Sequence, residues 1–127
     1  MGKKSILVVE DDEIIRANLT EVFEGDGFVV LAAENGQVAI NILREAKELP
    51  GVIFLDINMP VMDGQEFLIE IQKKPENEKF HQIPVVIVSA ARHEIFGDVV
   101  AYVRKPPQLD QLIDLAEKYS GAGAAVN

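Results

Sequence analysis

Four short runs of the chain are apolar at every position and rich in β-branched residues, and this pattern constrains the fold more than any other feature. The runs are residues 6–9, 28–31, 52–55 and 85–88, and a fifth, more mixed run covers 99–103. Short runs without polar alternation are typical of strands that are buried on both faces of a parallel sheet. We therefore expect a parallel sheet with no solvent-facing side.

Segments with helical spacing separate most of these runs. Each segment places apolar residues on one face at intervals of three and four. The faces are Ile15, Leu19, Val22 and Phe23; Val38, Ala39, Ile42, Leu43 and Ala46; Phe67, Leu68 and Ile71; and Leu109, Leu112, Ile113 and Ala116. A strand followed by a helix, repeated five times, predicts an α/β fold with right-handed crossovers. We expect one domain over residues 1–119 and a flexible tail over 120–127.

Composition excludes several classes of protein. With 127 residues, 48% of them hydrophobic, the chain has enough apolar material for one packed domain. The net charge of −9 repels phosphate backbones, so we predict no direct binding to nucleic acid. The chain has no cysteine, which rules out disulfides and thiolate zinc sites. No apolar run is long enough for membrane insertion, and we expect a soluble, cytoplasmic protein.

Polar residues follow four of the five predicted strands. In an open α/β sheet, ligands bind beyond the carboxyl ends of the strands, so residues at these positions share one edge. They are Glu10, Asp11 and Asp12 after the first run, Asp56 and Asn58 after the third, Ser89 after the fourth, and Lys105 after the fifth. The sequence thus predicts a site that combines acids, a hydroxyl and an ammonium.

Taken singly, several of these residues have simpler explanations. Asp12 is most simply a helix N-cap, and Asp63-Gly64 a turn into the third helix. Taken together, Glu10, Asp11 and Asp56 would repel one another unless a cation lay between them. Mg²⁺ suits a site with few carboxylates and several retained waters, and Mn²⁺ would suit it as well. His81 and His93 have no ligand spacing, so we predict no transition-metal site at the histidines.

The same residues can support phosphoryl transfer. A carboxylate can attack phosphorus, and Asp56 stands alone at the centre of the set. Catalysis of such a transfer is mainly positioning and charge stabilisation. The metal ion, Lys105 and the Ser89 hydroxyl would each hold a phosphoryl oxygen. The small side chain of Ala90 leaves room for the group to enter.

Four motifs in this order resemble the response-regulator receiver domains of two-component signalling. The motifs are Ile6-Leu7-Val8-Val9-Glu10-Asp11-Asp12-Glu13; Asp56-Ile57-Asn58-Met59-Pro60-Val61-Met62-Asp63-Gly64; Val88-Ser89-Ala90; and Val103-Arg104-Lys105-Pro106. The resemblance runs from about Lys4 to Tyr119. It implies a flavodoxin-like fold with a five-stranded parallel sheet, strand order 2-1-3-4-5 and helices on both faces.

The resemblance also implies roles for individual residues. Asp56 would accept phosphate from a histidine kinase or a histidine phosphotransfer protein, and an unidentified downstream protein would receive the signal. Asp11 would bind Mg²⁺ directly, Glu10 through water, and Asn58 through its backbone carbonyl. Ser89 and Tyr102 would form the switch. Such a domain is a phosphoacceptor with metal-dependent self-phosphorylation and self-dephosphorylation chemistry rather than an enzyme.

The chain departs from the family pattern in one place. The segment from Ala90 to Arg104 is shorter than the family's usual fourth helix with its loops by more than a helical turn. Gly97-Asp98 would end any helix in this segment early. We therefore expect a shortened or irregular fourth helix, an unusual output face, and an altered role for Tyr102.

Three other functions remain open at this point. A receiver that is never phosphorylated could serve as an interaction scaffold. A Mg²⁺-dependent phosphatase that forms an aspartyl-phosphate would use similar groups, but it usually needs a second Asp where this chain has Asn58. A flavin-binding electron carrier would place a phosphate loop where this chain has three acids.

Overall fold

The computed structural model, which describes residues 4–91 and 94–120, contains one five-stranded parallel sheet. Its strand order, β2-β1-β3-β4-β5, confirms the predicted order. The strands are β1 (Ile6–Val9), β2 (Val30–Ala33), β3 (Val52–Leu55), β4 (Val85–Ser89) and β5 (Ala101–Arg104). The helices are α1 (Glu13–Gly25), α2 (Gly36–Glu45), α3 (Gly64–Ile71), α4 (Glu78–His81) and α5 (Leu109–Tyr119).

A hydrophobic core lies on each face of the sheet. One core joins residues of α2 and α3 to side chains of β1, β3 and β4, including Leu43, Phe67 and Leu68. The other joins α1 and α5 to the opposite side of the same strands, including Phe23 and Leu112. The central strands β1, β3 and β4 are buried along their whole length. Burial on both faces explains why their sequences show no polar alternation.

The edge strand β2 differs from the prediction. It begins at Val30 rather than at Phe28, and Val29 is 65% exposed. An edge strand has a neighbour on one side only, so its apolar run is not fully covered. An apolar run therefore marked the strand correctly but not its first residue.

The connection between β4 and β5 is where the predicted alternation of strand and helix is wrong. In its described part, residues 94–100 contain no helix, and the one-turn helix α4 precedes β4 instead. Ile95 and Val99 pack against the core while Phe96 and Val100 are exposed. Gly97 also faces α3, because a Cβ there would lie 3.0 Å from Leu68 Cδ2, so positions 95, 97 and 99 face inward as in an extended chain. Gly97, with φ of 124°, adopts a backbone conformation outside any helix. The irregular form is thus the one observed.

Two further predictions concern the ends and the surface of the chain. Ser120, the first residue of the predicted tail, is buried beside Gly51, and residues 121–127 lie outside the described ranges. The flexible tail therefore stays a prediction. None of the helices in the described ranges has the length and apolar character that crossing a bilayer requires.

Candidate functional site

The register of the central strands brings the first acids together. Val9 of β1 pairs with Leu55 of β3, and the N–H of Asp56 donates to the carbonyl of Val9 at 2.9 Å. Glu10 and Asp56 are therefore the first residues beyond two paired strand ends. Parallel strands that end at the same level place the residues that follow them side by side.

The three predicted acids converge as expected. One carboxylate oxygen from each of Glu10, Asp11 and Asp56 lies within 4.8 Å of the others. Glu10 is only 2% exposed and Asp56 6%, whereas Asp11 is exposed. Two acids thus form the floor of the site, and the third lies at its rim.

Lys105, the first residue after β5, faces these acids. The strands pair Ser89 with Arg104, and the N–H of Lys105 donates to the carbonyl of Ser89 at 2.9 Å. This bond fixes the start of the Lys105 side chain at the same edge of the sheet. The ammonium donates to Glu10 Oε1 at 2.5 Å and lies 3.7 Å from Asp56 Oδ1. With 15% of its side chain exposed, Lys105 is a largely desolvated counter-charge.

Burial dominates the ionisation of the two acids on the floor. It raises the pKa of Glu10 above its ordinary value, and the hydrogen bond from Lys105 opposes that rise only in part. Burial likewise raises the pKa of Asp56, against the attraction of Lys105. One ammonium cannot fully compensate two buried carboxylates that also repel each other. A divalent cation would supply the missing positive charge.

The loop after β1 is fixed by contacts on both sides. Arg16 Nη1 donates to the carbonyl of Glu10 at 2.8 Å and to that of Asp11 at 3.3 Å. The N–H of Asp12 donates to Glu10 Oε2 at 3.2 Å. Asp12 Oδ1 accepts from the N–H of Ile15 at 2.9 Å, which confirms Asp12 as the N-cap of α1. Arg16 was not predicted, because an arginine within a helix gives no local sign of a contact with the preceding loop.

Gly64 sets the distance between α3 and the backbone of Asp56. Its N–H donates to the carbonyl of Ile57 at 2.9 Å. A Cβ at this position would lie 2.3 Å from the carbonyl oxygen of Asp56 and 2.8 Å from the Cα of Ile57. Asp63 forms a capping box with Glu66, so the predicted turn residue is also the N-cap of α3. Only glycine permits this close approach.

The remaining predicted residues lie around the same edge. Ser89 is fully buried, and its Oγ accepts from the N–H of Ala91 at 3.5 Å. Ala90 and Asn58 are exposed. Tyr102 is half-buried, and its hydroxyl donates to the carbonyl of Ala91. Of the two histidines, His81 lies on α4 with its Nε2 2.8 Å from Asp98 Oδ2, and His93 lies outside the described residues.

Proteins of similar sequence match almost the whole chain. Sporulation initiation phosphotransferase F of Bacillus subtilis is 32% identical, over 94% of this chain and 95% of that protein. The polar-differentiation response regulator DivK of Brucella anthropi is 27% identical, over 93% and 97% of the two chains.

Solved structures agree with the fold. The response regulator TrrA of Thermotoga maritima, solved in complex with Mg(2+)-BeF, superimposes with a TM-score of 0.75 at 30% identity, over 91% of this chain and 98% of that one. The chemotaxis protein CheY4 of Vibrio cholerae gives a TM-score of 0.79 at 21% identity, over 92% and 98% of the two chains, and supports the fold alone.

A family model described as the response regulator receiver domain matches residues 6–117. Receiver domains are signalling domains of two-component systems and are not generally classed as enzymes. Phosphoacceptor signalling is implied by a match of this type. On the sequence match, the strand order and the acidic edge of the sheet, this chain belongs to the response regulator receiver domain family.

Proposed function

We propose that Asp56 accepts a phosphoryl group from a phosphohistidine of a histidine kinase or phosphotransfer protein, in a reaction that depends on Mg²⁺. One observation carries the proposal. Oxygens of Glu10, Asp11 and Asp56 lie within 4.8 Å of one another, with the Lys105 ammonium 3.7 Å from Asp56. A carboxylate nucleophile, a cation site and a fixed positive charge are the parts that this transfer needs.

The donor set fits Mg²⁺. All three candidate side chains offer carboxylate oxygens, and two are buried without enough positive charge nearby. We assign direct contacts to Asp11 and Asp56, a contact through water to Glu10, and a fourth contact to the Asn58 carbonyl. The response regulator TrrA, which is similar to this chain, was solved in complex with Mg(2+)-BeF, and this supports a Mg²⁺ site here. When bound, Mg²⁺ would neutralise the carboxylates and stabilise charge on a phosphoryl oxygen.

Asp56 acts as the nucleophile in this proposal. Its carboxylate oxygen forms a bond to phosphorus while the bond from phosphorus to the histidine nitrogen breaks, and the imidazole leaves after taking up a proton. Lys105 would move from Glu10 toward the transferred group, since its ammonium already lies between the two acids. An ammonium that gains a closer partner in the transition state lowers the barrier rather than only tightening binding.

Ser89 and its neighbours would respond to the new group. Within the described residues, the Ser89 hydroxyl accepts a long bond from the N–H of Ala91, and its own proton could be donated to a phosphoryl oxygen. The exposed methyl of Ala90 leaves the entrance open. Movement of this loop would alter the contact of the Tyr102 hydroxyl with Ala91, which makes Ser89 and Tyr102 the proposed switch.

The signal would leave the domain by contact with another protein. We propose a cytoplasmic receiver over residues 1–119 that works with a histidine kinase or phosphotransfer protein and with an unidentified target. Hydrolysis of its own aspartyl-phosphate would reset it, without turnover of an external substrate. The acidic surface favours basic partner surfaces over nucleic acid.

Intact-protein mass spectrometry tests the proposal. Wild-type protein treated with acetyl phosphate and Mg²⁺ should gain about 80 Da, the mass of one phosphoryl group. The gain should vanish in Asp56→Asn and without Mg²⁺, and persist in the control Asp114→Asn, which alters an exposed acid on α5. No gain with acetyl phosphate or a phosphorylated histidine protein would favour the inert scaffold. Rapid, repeated release of phosphate from simple esters would favour the phosphatase.

A further inference from the structure

Two glutamines, Gln65 in α3 and Gln72 at the C-cap of α3, bind the chain between β4 and β5 through their side-chain amides. Gln65 Nε2 donates to the carbonyl of Phe96 at 2.6 Å, and the N–H of Phe96 donates to Gln65 Oε1 at 2.8 Å. Gln72 makes the same pair with Asp98, at 2.8 Å in each direction. A glutamine amide has the donor and acceptor of a peptide group, so each pair copies a hydrogen-bonded position in a sheet.

The rest of the segment reinforces these four bonds. His81 Nε2 lies 2.8 Å from Asp98 Oδ2, and Ile95 and Val99 pack into the core on either side. A Cβ on Gly97 would lie 2.8 Å from Gln72 Oε1 and 3.0 Å from Leu68 Cδ2. We refer to residues 94–98 as the strap. In the described part of the connection, the strap occupies the place where the resemblance predicts a helix.

The spacing of the glutamines suits the task. Residues seven apart on a helix lie on the same face, about 10 Å apart along the axis. Two residues of an extended chain span about 7 Å, a difference that two flexible glutamine side chains can absorb. Gln65 is also the residue after Gly64, which contacts the backbone of Asp56. Helix α3 therefore contacts both the proposed phosphoryl acceptor and the strap.

We propose that Gln65 and Gln72 are positioning residues for phosphoryl transfer. They hold the strap on α3, and the strap belongs to the same connection between β4 and β5 as Ala91, which lies two residues after Ser89 and whose carbonyl accepts from Tyr102. The inference rests on the proposed function, because it assigns Ser89 a phosphoryl oxygen. Without the two amides, the connection that begins after Ser89 would lose its hydrogen bonds to Gln65 and Gln72, and no helix is present in its described part to hold it in their place.

Amide hydrogen exchange tests the contact itself. Gln65→Met and Gln72→Met keep about the length of the side chain but remove both the donor and the acceptor of the amide. In these variants the N–H groups of Phe96 and Asp98, which donate to the two glutamines, should exchange about fivefold to tenfold faster, as expected for the loss of one hydrogen bond. The control Gln111→Met makes the same change at an exposed position of α5 and should leave both rates unchanged.

The initial rate of phosphorylation by acetyl phosphate tests the positioning role. We expect the Gln65→Met and Gln72→Met variants to react about threefold or more slowly than Gln111→Met. Their dissociation constant for Mg²⁺ should stay unchanged, because the strap does not contact Glu10, Asp11 or Asp56. A general loss of folding would weaken both properties together.

Two results would overturn the inference. The first is exchange of the Phe96 and Asp98 amides in the wild type at the rate of unprotected amides. The second is faster exchange in the α3 variants with an unchanged phosphorylation rate. Failure of the proposed function looks different: the wild type itself would gain no phosphoryl group, while the exchange rates would still report whether the glutamines hold the strap.

Discussion

The two halves of the sheet edge are built by different means. At the ends of β1 and β3, the acids follow regular, fully buried strands, and main-chain pairing alone brings Glu10 beside Asp56. Between β4 and β5, the described chain has no regular element, and the side chains of Gln65 in α3 and Gln72 at its C-cap hold it. The backbone of the sheet thus positions the chemical half, at the ends of β1 and β3. A few side-chain contacts position the other half, between β4 and β5, which would transmit the signal. The second half is the one that sequence change can alter most readily.

Helix α3 is the element common to both halves, and substitution at its first residue should have the largest effect. Gly64→Ala would press a methyl group against the backbone of Asp56 and Ile57, where neither atom can move easily. We expect the free energy of unfolding to fall by about 3 kcal/mol in chemical denaturation. Gly25→Ala is the matched control, because a Cβ there meets nothing within 4 Å. Equal stability of the two variants would show that the close approach of Gly64 to the backbone of Asp56 does not matter for stability.

Asp56→Asn should affect the chemical half alone, and it should raise the free energy of unfolding rather than lower it. The raised pKa of Asp56 means that a charge at this position costs free energy in the folded, metal-free protein. Stability gained from the protonated form is present below the ordinary pKa and is lost as pH rises through the raised one. At neutral pH without metal, the variant should therefore have a higher free energy of unfolding than the wild type in chemical denaturation.

The control for this substitution is Asp114→Asn, at an exposed acid. Its stability should stay within about 0.5 kcal/mol of the wild type. In Asp56→Asn the exchange rates of the Phe96 and Asp98 amides should not change. A variant that is less stable than the wild type would mean that Asp56 is held mainly by attraction to Lys105 rather than strained by burial.

The sequence predicted the chemical half because the relevant information is local. A run of apolar residues locates each strand, and the next polar residue lies at the edge. Glu10 and Lys105 are 95 residues apart, yet parallel register brings them to 2.5 Å. The strap could not be predicted in this way. Its bonds join α3 to residues 26 and 31 positions away, and no periodic pattern marks a glutamine that binds distant backbone.

Gly64 and Arg16 show the same limit within the site. Asp63-Gly64 predicted a turn correctly, but no sequence pattern indicates that the carbonyl oxygen of Asp56 lies where a Cβ of Gly64 would be. In the sequence Arg16 looks like an ordinary helical residue, but in the structure its guanidinium donates to the carbonyls of Glu10 and Asp11 in the preceding loop. Residues that position a site through contact with backbone leave no motif of their own.

The smallest expected effect is the dependence of Mg²⁺ binding on pH, which should involve the acids of the chemical half and not the strap. A cation competes with protons on Glu10 and Asp56, whose pKa values burial raises. Affinity measured by calorimetry should fall as pH drops through these values, approaching about tenfold per pH unit for each proton displaced. Above them it should level off. In Asp56→Asn the slope should be shallower, whereas Gln111→Met should follow the wild type.

Paramagnetic broadening by Mn²⁺ tests the central claim most directly, because Mn²⁺ takes oxygen ligands as Mg²⁺ does. At substoichiometric Mn²⁺, amide signals of residues 10, 11 and 56–58 should broaden first. Signals of Phe96 and Asp98 should broaden later, and excess Mg²⁺ should restore all of them. Broadening spread evenly over the acidic surface, or centred away from Glu10, Asp11 and Asp56, would contradict a single cation site at the ends of β1 and β3.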